Sequence, residues 1–115
     1  MIVQSSNIVD VRSYPALNRL VVLFKNAATY QVDGIPEEKA QKFIKAESPG
    51  SYYAREVAGN PAYQIKHVPT LCDRCGGQIV KGHKFAFVDV AIVYEDGTQE
   101  ETRRAIHEGC LGVKI

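Results

Sequence analysis

Residues 71–78 read LCDRCGGQ and residues 107–110 read HEGC. How these two stretches relate decides the fold of the second half of the chain. There are three cysteines in all, and the C-x-x-C pair alone is compatible with a redox dithiol, a disulfide, half of a metal site or two inert buried thiols. A redox pair normally opens a helix, whose N-terminus lowers the pKa of the first thiol. Gly76 and Gly77 follow Cys75 directly and argue against a helix. They permit instead a tight turn whose amides point at thiolate sulfur, the knuckle of zinc ribbons and treble clefs. A redox pair would also leave HEGC unexplained. Taken together, C-x2-C and H-x2-C use every cysteine, and Cys72, Cys75, His107 and Cys110 form a Cys3His set, a common closed tetrahedral zinc site. Four protein ligands leave no open position, so one Zn2+ is expected in a structural role. Iron–sulfur ligation fits less well, because histidine ligands to clusters are uncommon.

Between the pairs, HKFAFVDVAIVYEDGTQEETRRAIH (83–107) reads as a β-hairpin turning at Asp96-Gly97. A two-residue loop places Asp89 opposite Arg104, Val88 opposite Ala105 and Phe87 opposite Ile106, and so returns His107 and Cys110 to the first cysteines. Phe85 to Tyr94 is apolar except for Asp89, which predicts a strand covered on both faces. Thr98 to Arg104 reads as a polar edge strand. His83, beside Lys81-Gly82 and without a cysteine partner, could displace His107 as a ligand but reads better as a surface histidine, as does His67. Residues 70–115 hold too few apolar side chains to fold alone. Zinc contributes on the order of 10 kcal/mol in small fingers, enough to decide folding.

Composition sets the frame. The 115 residues suit one domain or one domain with an appendage, and 45% hydrophobic with 23% charged residues is ordinary for a globular chain. A net charge of +1 advertises no polyanion partner; nucleic acid, if bound, would meet a local patch. The opening MIVQSSNIVD has no signal-peptide pattern, and no apolar run is long enough for a membrane span. The expectation is a cytoplasmic protein with no membrane partner, a compartment that disfavours structural disulfides.

The first half reads as strands and then helices. SNIVDVRSY (6–14), LNRLVVLF (17–24) and AATYQV (27–32) are three short strands, separated by a Tyr-Pro-Ala turn and by Lys25-Asn26. They predict an antiparallel meander. IPEEKAQKFIKAE (35–47) has helical spacing, with Pro36 in its first turn, Glu37 and Glu38 complementing the dipole, and Phe43 and Ile44 on the apolar face. Ser48-Pro49-Gly50 stops it. SYYAREVAG (51–59) predicts a second short helix capped by Ser51, and Tyr63, Ile65 and Val68 an extended link. The fold class is α+β: residues 1–66 a meander with two short helices, residues 67–115 a zinc-knuckle and hairpin module, zinc-ribbon or treble-clef-like, packed on it.

Several of these residues carry a resemblance. Ser5-Ser6, Ile8, Tyr14, Leu20, Val22 and Phe24, then Tyr30, Ile35 and Pro36 in TYQVDGIP, then Phe43, Ala46, Ser48, Gly50, Tyr52 and Tyr63 resemble the KTSC domain. That module is named from the C-terminus of some lysyl-tRNA synthetases and also occurs alone in small bacterial and phage proteins. The resemblance spans residues 3–66 and implies its fold. The chain departs from the family's Tyr-x-Tyr at Tyr30-Gln31-Val32, and Ala28 stands where a turn glycine is frequent. RNA binding has been suggested for the family.

Two functions compete. One is a non-enzymatic RNA- or nucleic-acid-binding module of bacterial or phage origin. It would stack bases on Tyr14 and Tyr30, with Tyr52 and Tyr53 as further surfaces, and contact phosphates through Arg12, Arg19, Lys25, Lys39, Lys42 and Lys45. The plain alternatives are tyrosines in the core or at its rim and lysines on a solvated helix face. The other function is a protein-interaction adaptor, or a phage-encoded inhibitor of a host protein. No catalytic constellation stands out, and His83 lacks the companions a metal nuclease would need.

Overall fold

A computed structural model of the chain describes residues 7–80 and 82–110; Ser5, Ser6 and Lys81 of the readings above lie outside them. Strands β1 (Ile8–Tyr14), β2 (Arg19–Phe24) and β3 (Thr29–Asp33) form the expected meander. The segment that reads as an extended link is a fourth strand, β4 (Gln64–Val68), which pairs with β3 from Thr29 opposite Val68 to Asp33 opposite Gln64. The sheet order is β1-β2-β3-β4. As an edge strand, β4 buries no side chain fully, so its sequence lacks the apolar alternation that marks the inner strands.

One face of this sheet carries the main core. Val11, Leu20, Val22 and Val32 are fully buried there with Ile8, Ile35, Ala40, Phe43 and Val57. Helix α1 (Glu37–Ile44) lays Ala40 and Phe43 on the sheet. Helix α2 begins earlier than the sequence suggests, at Pro49–Tyr52, with Ser48 rather than Ser51 at the N-cap position. Pro49 does not stop a helix here but starts one, since its fixed φ suits a first helical turn. A wide π-type turn, Tyr53–Val57, extends it. Tyr52 and Tyr53 meet the Phe43 ring edge-on.

The second sheet is the hairpin of β5 (Phe85–Val93) and β6 (Gln99–His107). Its register differs by one residue from the two-residue-loop expectation. Asp89 lies opposite Arg103, Val88 opposite Arg104, Phe87 opposite Ala105 and Ala86 opposite Ile106. The loop holds three residues: the Tyr94 amide donates to the Thr98 carbonyl and the Gly97 amide to the Tyr94 carbonyl, with Gly97 at φ +86°. This is a type I turn closed by a left-handed glycine, the common three-residue alternative to the two-residue loop. Asp89 still meets an arginine, but it is Arg103, at 2.8 Å.

The roles of the two hairpin strands are also reversed. No residue of β5 is fully buried, and Val93 is 64% exposed. It is β6, polar in sequence, that lies against β1, through Thr102 at 1% exposure and Asp10 at 4%. The Thr102 hydroxyl donates to Asp10 at 2.7 Å and the Arg103 amide to the same carboxylate at 3.2 Å. Burying a threonine and an aspartate is tolerable because each satisfies the other. A second joint forms at the β2–β3 turn, where the Thr70 hydroxyl donates to the Ala27 carbonyl and is paired with the Thr29 hydroxyl. The hairpin module therefore packs on the first sheet, as expected, but by its other strand.

Among the described residues, no helix is long and apolar enough to cross a membrane.

Two measurements check this account. Asp10→Ala strips the acceptor from a buried hydroxyl and an amide, so unfolding stability should fall by about 1–3 kcal/mol, with Thr102→Val in the Asp10→Ala background adding little; fully additive losses in that double-mutant cycle would contradict the joint. The second concerns Asp33. The Arg19 guanidinium at 2.7 Å, with help from the Gln31 amide, holds its carboxyl below the usual carboxylate range. A depressed folded-state pKa means that this stabilisation is present above the unfolded pKa and disappears as pH falls through the folded value. Asp33→Asn should thus cost no more than about 1 kcal/mol at neutral pH, since the pair is partly exposed, and nothing in strong acid. Urea melts across pH 2–7 provide the comparison.

Candidate metal centre

The knuckle is built by backbone bonding over residues 70–79. The Cys72 amide donates to the Gly77 carbonyl at 2.8 Å, the Gly76 amide to the Cys72 carbonyl at 2.9 Å, and the Ile79 amide to the Thr70 carbonyl at 2.8 Å. Leu71 bridges Gln78. Gly76 holds φ +73°, a conformation a side chain would strain. A Cβ on Gly77 would stand 3.4 Å from the Cys75 sulfur, in ordinary contact with it.

The second pair arrives from β6. His107 is its last residue, and a single 3-10 turn, Glu108–Cys110, swings Cys110 back. The Asp73 amide donates to the Ala105 carbonyl at 3.0 Å, which clamps the knuckle to β6, and Arg104 reaches Asp73 at 3.3 Å. Cys72, Ile79, Ala105 and Ile106 form a small buried cluster with Ala27, flanked by Phe85, Phe87 and Cys110.

One ligand atom from each of Cys72, Cys75, His107 and Cys110 lies within 4.8 Å of the others. A tetrahedral ion bound at ordinary zinc–sulfur lengths spaces its ligands by about 3.8 Å, so the set surrounds a volume of the right size. His107 offers Nδ1, which lies 3.4 Å from the Cys75 sulfur. The buried Cys72 sulfur accepts amides from Arg74 at 3.4 Å, Cys75 at 3.5 Å and His107 at 3.3 Å, and the Cys75 sulfur accepts the Gly77 amide at 3.4 Å. Burial pushes the Cys72 thiol up, but the amides of Cys75, His107 and Arg74 outweigh it and bring it down to about 6. Cys110 goes the other way, raised to about 11 by burial first and then by the neighbouring sulfurs of Cys72 and Cys75. Three sulfurs in one place resist ionising together, and a divalent cation removes that obstacle. Soft sulfur and imidazole donors suit a late transition metal and not calcium or magnesium.

The residues named for nucleic acid scatter around the first sheet. Tyr14 is 39% exposed at the end of β1. Tyr30 is half-buried, edge-on to Phe24 and His67, and the Tyr53 ring also packs on Phe24. Arg19 is tied to Asp33. Lys25 is exposed beside the β2–β3 turn, Lys39 and Lys42 are exposed on α1, and Lys45 is exposed at its C-cap. Arg12 alternates with Val11 and so faces away from the helices. There it joins Val21, Leu23, Asp73, Arg103 and Arg104 around a groove of about 170 Å³ between the sheet and β6.

Sequence reasoning missed Arg103 and Arg104 as part of this groove and Asp10 as a joint; His83 and His67 are exposed, as expected, but the contact of His83 with His107 was not foreseen. The His83 ring stands against that of His107, with centroids 5.0 Å apart. The three-residue loop brings them together, since His83 is two residues before Phe85, the partner of His107.

None of the curated proteins matches the chain. Among solved structures, the KTSC domain protein YPO2434 from Yersinia pestis is similar with a TM-score of 0.55 and 28% sequence identity, over 59% of this chain and 93% of that one. The KTSC domain family matches residues 4–63, a span that covers the first sheet's three meander strands and both helices and stops short of the Cys/His cluster. The chain belongs to the KTSC domain family.

Proposed function

We propose that this is a non-enzymatic KTSC domain protein in which one structural Zn2+, held by Cys72, Cys75, His107 and Cys110, fastens a C-terminal hairpin to the family domain. The observation that carries this reading is the convergence of four soft donors from two distant stretches. With all four positions taken by protein, such a site has no place for substrate or water and supplies folding energy instead of catalysis. The knuckle followed by a hairpin is in keeping with a zinc-ribbon or treble-clef-like module.

For the assembled surface, we propose RNA binding in the groove between the first sheet and β6. Its support is the gathering of Arg12, Arg103 and Arg104 around the apolar side chains Val21 and Leu23, with exposed Tyr14 at the end of the same β1 strand that carries Arg12. Protein docking is favoured by a different feature, the apolar β5 strand, which pairs on one side only among the described residues.

Freshly purified, reduced protein should contain close to one equivalent of zinc by elemental analysis, and Cys110→Ser should lose most of it; metal-free wild-type protein would refute the site. Chelation should abolish amide-exchange protection in the hairpin and lower it in the first sheet near Asp10 and Ala27. For RNA, single-stranded or transfer RNA should bind at low salt and dissociate as salt rises. Arg12→Ala should weaken binding several-fold, while Lys42→Ala on α1 should not. Absence of binding at low salt would overturn the RNA reading, and a lysate partner that survives nuclease would favour docking.

A further inference from the structure

His83 sits on the turn between the knuckle and β5, and its Nδ1 lies 3.1 Å from Nε2 of His107. The same Nδ1 is 3.3 Å from the Val80 amide nitrogen. A backbone amide can only donate, so Nδ1 of His83 is an acceptor and carries no proton. The proton between the two rings therefore belongs to Nε2 of His107. A neutral imidazole protonated at Nε2 has its lone pair at Nδ1, and Nδ1 is the atom that faces the Cys75 sulfur at 3.4 Å.

We propose that His83 is the positioning residue of the metal centre: it accepts a hydrogen bond from Nε2–H of His107, and so holds that ring in the tautomer and orientation that present Nδ1 to the metal. This rests on the reading of the four-residue cluster as a zinc site. The order of bonds runs from the Val80 amide to His83 Nδ1, from His107 Nε2 to the same acceptor, and from His107 Nδ1 to the ion. Metal-bound histidines generally give their second ring proton to a fixed acceptor, and removing that acceptor costs 10–100-fold in affinity. His83 is not a fifth candidate ligand. Its single Nδ1 lone pair is shared by two donors, the Val80 amide and His107 Nε2–H, and the group of mutually close ligand atoms comprises Cys72, Cys75, His107 and Cys110 without it.

A competitive chelator titration of the full chain with zinc tests the assignment. Wild type, His83→Ala, His83→Phe and His83→Asn should each bind one equivalent at saturation. The alanine and phenylalanine variants should bind about 10–100-fold more weakly. Asparagine, whose side-chain oxygen can accept, should recover most of the loss. With cobalt in place of zinc, the visible absorption bands should shift in the alanine and phenylalanine variants and return towards wild type in asparagine. Equal affinity in all four proteins would overturn the proposal, and so would an unaffected phenylalanine variant, because ring packing would then be the whole contribution. Metal retained in His107→Ala but lost in His83→Ala would make His83 the ligand and overturn it too. A wild-type chain that binds no metal at all would instead sink the zinc site itself.

Discussion

Three sulfurs gathered beside one imidazole cannot all carry negative charge without a cation, and the second half of this chain is arranged around that constraint. Its buried cluster of Ala27, Cys72, Ile79, Ala105 and Ile106 is small, and a lone two-stranded sheet is at best marginal in water. The amides of Arg74, Cys75 and His107 hold Cys72 ready as thiolate, while Cys110 stays high. A divalent cation bound there would remove the repulsion among the sulfurs. A metal held by Cys75 and His107 would also close the long loop that contains the hairpin, a constraint that acts on the unfolded chain as much as on the folded one.

The first sheet receives this module at its β2–β3 turn. That turn has the same length as the β5–β6 turn: the Phe24 amide reaches the Ala28 carbonyl and the Ala27 amide the Phe24 carbonyl. In the hairpin the left-handed position is Gly97. In the first sheet it is Ala27, at φ +67°, where a Cβ costs about 1–2 kcal/mol. The strain has a local offset. The Ala27 methyl lies in the cluster around Cys72 and Ile79, and its carbonyl accepts the Thr70 hydroxyl. Glycine would relax the turn and lose the contact.

What could be read from the sequence followed from short-range rules. The Cys/His set rests on spacing within four residues, the meander on alternation and turns, and α1 on helical periodicity. The errors arose where a distant partner decides. The hairpin loop has three residues because Gly97, and not Asp96-Gly97 together, takes the left-handed position, and one residue is enough to turn every side chain to the other face. A polar β6 looks like an edge strand until Asp10, 92 residues from Thr102, is placed against it. Pro49 can stop one helix or start the next, and only packing on Phe43 chooses.

The corrected register also changes what the groove can do. With Arg103 opposite Asp89, Arg104 falls on the other face of the hairpin and reaches Asp73 in the knuckle. Two of the three groove arginines are thereby paired with carboxylates, and Asp10 is engaged with Thr102 and the Arg103 amide. Local compensation of this kind matches the overall charge of +1 and leaves little long-range field to steer a polyanion. A ligand in this groove would have to be recognised at close range, by contact with Val21 and Leu23 and by exchange of the exposed Asp73 carboxylate at Arg104 for its own acceptors. That exchange breaks a partly exposed ion pair, worth roughly 0–1 kcal/mol, and replaces it with a bidentate contact that arginine makes well to phosphate or carboxylate alike. A ligand lying between the sheet and β6 would meet Arg12 and Arg104 on the side of β6 that carries Thr102, whereas the Arg103 side chain is turned to Asp89 on the other side, so geometry and not net charge limits what such a ligand could engage.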